Sequence, residues 1–205
     1  MKHYLLVFIL LLVAVAYFLF QSQQPQRTFH TNLVNIDTAQ VTALRIYSPA
    51  NAGKEMAFLK QADGSWQIKT DSLQQIIDKA LVQQMLHEIQ AVKPKQLVSN
   101  NPEKQTEYKT REGEATRLKV QEGDKTTLDL YIGRISIKQN QTAATQSQEN
   151  GSPFGNSQQP LISTYLRLHN QNDTYSADGM LGLMFNRPAK DYLPKNEQEN
   201  PIETH

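Results

Sequence analysis

The chain has 205 residues and is nearly neutral, with 21 Lys and Arg against 20 Asp and Glu and a formal charge of +1. That balance leaves no basic stripe for nucleic acid and no acidic block for a basic partner or bulk metal binding. Cysteine is absent, which excludes disulfides and lipid attachment through a thiol; an exported domain of this size can build a core without cross-links.

The first element is Tyr4 to Phe20, an unbroken apolar run free of charge, Pro and Gly. As a helix it covers roughly 25 Å at about 1.5 Å per residue, the lower end of what spans a hydrocarbon core of about 30 Å. Lys2 precedes the run, whereas the polar stretch after it offers only Arg27. Residues 1–3 are therefore expected in the cytoplasm and the rest of the chain exported, with the lipid bilayer as the partner of residues 4–20. The rival reading is a signal peptide cleaved after Ala14-Val15-Ala16, leaving a secreted protein. Continued apolarity through Tyr17-Phe18-Leu19-Phe20 favours a retained anchor.

Residues 21–32 are Gln-rich, contain Pro25 and read as an extended stalk. From Leu33 strand patterns begin: Val41, Ala43 or Leu44, and Ile46 mark one face of a strand, and a turn at Pro49 to Gly53 leads to a second strand, KEMAFLKQ. Ala62-Asp63-Gly64-Ser65 predicts a tight hairpin before WQIK, in which Trp66 is expected as a core aromatic. Thr70-Asp71-Ser72 offers N-caps for one long amphipathic helix to about Val92. Its stripe is Leu73, Ile77, Leu81, Met85, Ile89 and Val92, and Lys93-Pro94 ends it.

Lys95 to Ser99 reads as a short or edge strand, and Pro102 as the first residue of a short helix towards Tyr108. Arg117–Gln121 and Thr127–Ile132 alternate around Glu122 to Lys125, a second hairpin followed by Gly133, which suits a bend or a close backbone approach. The Gln/Asn-rich insertion 138–160 has little apolar surface with which to order itself. The strand ISTYLRLH, a turn at Asn170 to Asp173 and TYSA follow; then come a segment from Gly179 to Phe185 that Asp178 is placed to cap, a piece near Tyr192, and a polar tail, 194–205. The expected architecture is α+β: antiparallel β-hairpins packed on one long amphipathic helix plus short helices, within a domain at 33–193 preceded by a single transmembrane helix.

No sequence motif spells out a reaction. His87-Glu88 is half of a zinc-protease pattern, but Ala91 stands where the second His belongs. The remaining histidines are dispersed, and neither a nucleophile elbow nor a phosphate loop is present. Asp124 and Asp129 read as a polar turn and a strand's wet face rather than paired acids. The candidate interaction residues are Tyr131, Arg134, Tyr165 and Arg167, the two arginines being the best candidates for placed cations, with a solvated strand position as the simpler reading of each. No catalytic residue, metal or cofactor is expected.

The ordered series ID..QVTALRI (Ile36 to Ile46), FLKQADGSWQI (Phe58 to Ile68), the amphipathic helix, VSNNPEKQTEY (Val98 to Tyr108), LDLYIGR (Leu128 to Arg134) and TYLRLHNQNDTYSAD (Thr164 to Asp178) resembles the DUF4340 family of bacterial envelope proteins. Lys109-Thr110 departs from that pattern, which often carries Gly-Leu after the Tyr, and the insertion is a second departure. The resemblance implies neighbourhood to ABC-type transport components of the gliding-motility type and brings no catalytic residues. The expectation is a single-pass inner-membrane protein whose periplasmic domain is a non-catalytic interaction module, an accessory subunit beside an ABC-type permease or other envelope component. The alternatives are a binding module for a glycan or peptide, using a sheet face with Tyr131, Tyr165 and Arg167, and an enzyme with an unrecognised site.

Overall fold

The computed structural model describes residues 32–138 and 160–194. The apolar run Tyr4 to Phe20, nearly all of the stalk, the insertion at 139–159 and the tail from 195 lie outside the described residues. Among those described, no helix is long and apolar enough to cross a membrane.

The strands are β1 (Val41–Tyr47), β2 (Glu55–Lys60), β3 (Trp66–Lys69), β4 (Gln74–Ile77), β5 (Pro94–Ser99), β6 (Thr116–Glu122), β7 (Lys125–Lys138), β8 (Leu161–Leu168) and β9 (Thr174–Asp178). Helix α1 (Lys79–Gln90) lies between β4 and β5, and a short α2 (Leu181–Phe185) follows β9. The strands form one sheet in the order β4-β3-β2-β1-β6-β7-β8-β9-β5, with every neighbouring pair antiparallel. The fold is thus α+β, dominated by antiparallel sheet.

Turn chemistry sets the hairpins. At Gly64 φ is 83°, a conformation open to glycine, and Asp63 Oδ1 accepts from Ser65 N at 2.9 Å, closing the β2–β3 turn. In β1 the register shifts between Val41 and Ala43, which lets Val41 and Leu44, three apart, face the same core. Core side chains from one face of the sheet, among them Leu44, Ile46, Phe58, Trp66, Ile68, Leu118, Leu130 and Leu166, join Val82, Met85, Leu86 and Ile89 of α1 in one cluster. Leu33 and Ile36 belong to it as well. On this inner face Phe185 and Tyr192 also pack, the Tyr192 ring meeting Phe58 edge-on at 5.2 Å.

The long helix expected from Asp71 begins instead as a four-residue strand, Gln74–Ile77. Thr70 N donates to Leu73 O at 2.8 Å, and Thr70 Oγ1 accepts from Leu73 N at 3.1 Å, so Thr70-Asp71-Ser72 closes a hairpin instead of capping a helix. Gln74–Ile77 then pairs with Trp66–Lys69. The helix starts eight residues later, where Asp78 Oδ1 accepts from Ala80 N at 2.8 Å. Spacing by four misled because four is also an even number of strand residues: Leu73 and Ile77 share one face in either conformation. Asp178 is a second correction. It does not cap α2, whose cap position is Met180 without a side-chain bond, but pairs with Lys95 at 2.7 Å.

Two long connections run in opposite layers. Helix α1 carries the chain from one edge of the sheet to the other across the inner face, and residues 100–115 bring it back from β5 past β9, β8 and β7 to β6. A 3-10 turn at Pro102–Gln105, with Asn101 as cap, starts this return segment. It lies on the outer face so closely that a Cβ on Gly133 would stand 2.3 Å from Tyr108 O. The close approach expected of Gly133 is therefore present, at a bulge between Ile132 and Ile135.

Candidate functional site

Strand alternation directs the core residues of β6, β7 and β8 inward and leaves Arg117, Tyr131 and Arg167 on the outer face. Register places Glu55, Tyr47, Arg117, Tyr131, Arg167 and Thr174 opposite one another in a row across six strands. The row alternates aromatic and charged groups and is tied together laterally. Arg45 forms an ion pair with Glu55, to which the Tyr47 hydroxyl also donates. Arg117 grips Asp129 through two bonds of 2.8 Å and reaches Glu112 at 3.3 Å. The Tyr131 ring lies between two guanidinium groups, 5.4 Å from Arg117 and 4.3 Å from Arg167.

Arg167 is 6 % exposed, which corrects its reading as a solvated strand residue. Its Nε and Nη2 donate to Thr110 O at 3.1 and 2.9 Å, and Nη1 donates to Gln171 O at 2.9 Å and more distantly to Leu168 O and His169 O. Burial pulls its pKa below the ordinary guanidinium value. The bond to Asp129 raises that of Arg117. Burial likewise raises the Tyr131 phenol, whose oxygen lies 3.0 Å from His169 Nδ1.

The four residues singled out from sequence meet in two stacked pairs beneath the return segment. Besides Arg167 over Tyr131, Arg134 stands 5.0 Å above the Tyr165 ring and donates through Nε to Glu107 O at 2.9 Å. Tyr108 also packs on Tyr165, with ring centroids 4.7 Å apart. Tyr131 and Tyr165 are buried, and of the four only Arg134 is exposed.

Two cavities flank this cluster. One of about 230 Å³ lies between the turn after β1 and the end of the return segment, lined by Tyr47, Pro49, Glu112, Gly113, Arg117 and Tyr131. The other, about 270 Å³, is lined by Lys109, Glu114, Gly133, Arg134, Leu183 and Asn186. In it Glu114 Oε2 is buried without a hydrogen bond, 3.3 Å from Lys109 Nζ. Both are below or near the smallest pockets that hold drug-sized ligands, roughly 300 Å³. They suit a side chain or one sugar-sized group.

This arrangement holds groups in place: its cations are engaged by carbonyls, carboxylates or rings. Asp129 is bound by Arg117 and Asp124 sits in the β6–β7 turn, as their reading as turn and strand positions expects. His87 lies on the exposed side of α1, and no group of three or more His, Cys, Asp or Glu among the described residues could hold a metal ion. Sequence reasoning missed Tyr47, Arg117 and Glu112. The signal available was the alternation of RLKVQ and VTALRIY, which places Arg117 and Tyr47 opposite the apolar positions. Comparison of the chain with protein-family models, curated proteins and solved structures returns no match.

Proposed function

We propose that this chain is a single-pass, membrane-anchored and non-catalytic interaction module of the bacterial envelope, an accessory subunit of an ABC-type transport or envelope complex. The apolar run Tyr4 to Phe20 supports the anchor and the inner-membrane location, with the folded domain periplasmic. The resemblance to DUF4340 proteins supports the transport link. Lys109 adds to it: at φ 55° it holds the left-handed backbone that glycine favours, at the position where the family pattern often has Gly.

The observation that carries the interaction reading is the distribution of exposed apolar side chains. Ile137, Leu161, Met180 and Leu183, each at least 46 % exposed, lie where β7 ends, β8 begins and α2 follows β9, with Leu161 on the sheet face opposite to that of Ile137. Large apolar side chains exposed on both faces at one end of the sheet support a contact role for that end. The described chain begins at the opposite end of β7, where Asp37 N donates to Glu122 Oε1 at 2.9 Å. The 14-residue strand β7 sets the two ends about 40 Å apart at some 3.3 Å per residue. The apolar end is therefore presented away from the point where the chain enters the domain.

The test is capture of the tagged full chain from gently solubilised native membranes. Stoichiometric recovery of a multi-span permease or its ATPase is expected, with loss of that partner in an Ile137→Asp, Leu183→Asp variant of unchanged abundance. Recovery of the chain alone refutes the accessory-subunit reading. It would leave the binding of a glycan or peptide group, the second reading, which the cavity between Tyr47, Glu112 and Arg117 favours.

A further inference from the structure

The two edges of the sheet are built differently. At β5, Pro94 lacks an N–H, the pairing with β9 shifts register at both ends, and Lys95 is held against Asp178. Proline, irregular register and lysine are the devices by which an edge refuses another strand. Strand β4 has none of them: its sequence is QQII, its register with β3 is regular, and Ile76 is 63 % exposed.

The ladder also fixes which backbone groups β4 offers. Because Thr70 N donates to Leu73 O, the residues of β4 that face β3 with their peptide groups are those in phase with Leu73, namely Gln75 and Ile77. Gln74 and Ile76 direct both N–H and C=O outward. Among the described residues no hydrogen bond reaches these groups from another element.

We propose that β4 pairs, antiparallel and about a two-fold axis, with β4 of a second copy of this chain. Outward-facing residues must meet outward-facing residues in a hydrogen-bonded pair. Centred on β4, this sets Gln74 against Ile76 of the second copy, Ile76 against its Gln74, and Gln75 against its own equivalent. Side chains then match. Each Ile76 lies beside the aliphatic part of a Gln74, and the two Gln75 amides meet on the axis. Self-complementarity of this kind is what an isologous interface requires.

Single cysteines read the register directly, since the chain has none of its own. In the proposed pairing the Gln75 positions stand about 4.5 Å apart in a non-hydrogen-bonded pair, within disulfide reach. Residues 74 and 76 are each offset from their own equivalents beyond about 7 Å, so they should cross-link roughly tenfold less. Full-length Gln74→Cys, Gln75→Cys and Ile76→Cys chains, treated with copper phenanthroline in intact cells and run on non-reducing gels, should give a dimer band dominated by Gln75→Cys. Adding Ile76→Pro, which removes only an outward N–H, should abolish that band. Absence of the Gln75→Cys dimer, equal cross-linking at all three positions, or persistence of the band with Ile76→Pro would overturn the pairing.

Discussion

The outer face of the sheet has two halves that the same strand alternation treats alike and the fold treats oppositely. Over β7, β8 and β9 the return segment 100–115 closes down, so that Thr110 is wholly buried and Arg167 is 6 % exposed. Over β1 to β4 no such segment passes among the described residues, and Arg45, Lys69, Gln74 and Ile76 remain wet or half-wet. The lesson is energetic. Under cover, every polar group needs a fixed partner, which Arg167 finds in the carbonyls of Thr110 and Gln171. In the open half, Arg45 is held instead by the side chains of Glu55 and Gln121 and stays within reach of water.

This contrast can be broken first at Gly133. A side chain there meets Tyr108 O at 2.3 Å and threatens the bond from Arg134 N to the same oxygen, 3.0 Å long. Gly133→Ala should cost about 4 kcal/mol, the upper end for a point substitution, read as a lowered urea midpoint. The matching change in the open half, Gly64→Ala in the β2–β3 turn, meets no atom within 4 Å and only the strain of its positive φ. A smaller loss, about 3 kcal/mol, is expected for Arg167→Met, which keeps the length of the side chain but takes its donor from the buried Thr110 carbonyl and from the part-buried Gln171 carbonyl. Equal stability of that variant and the parent chain would show that the return segment does not depend on the guanidinium.

The smallest effect sharpens the boundary between the halves. Burial, and then the bond and charge of Glu55, push the Tyr47 phenol from 10.0 up to about 12. The folded chain thus binds this proton more tightly than the unfolded one. Its contribution to stability is complete below pH 10 and is lost as pH rises through about 12. Tyr47→Phe should flatten the fall in denaturation midpoint between those limits relative to the parent chain. An unchanged slope would mean that Tyr47 titrates as a solvent-exposed phenol.

Much of this was legible locally. Asp63-Gly64 and Glu122 to Lys125 announce their hairpins because turn conformation depends on two or three adjacent residues. Trp66 and the apolar side of α1 fall in the core because period alone chooses a face. Gly133 signals a close approach, since a glycine inside a strand gives up packing for proximity. Tyr131, Arg134, Tyr165 and Arg167 could be picked out as a group, but not paired: their stacking depends on register between β7 and β8 across the insertion.

What the sequence determined by itself, then, is the two hairpins around Asp63-Gly64 and Glu122 to Lys125 and the amphipathic helix, all set by interactions between near neighbours in the chain. The tertiary structure alone decided that Gln74–Ile77 is a strand, since a spacing of four fits both periodicities and only pairing with β3 distinguishes them. It also decided that β6 inserts beside β1, and that Arg167 lies under cover. Whether a polar residue on an alternating strand meets water depends on which distant segment crosses it, and that is a property of topology rather than of pattern.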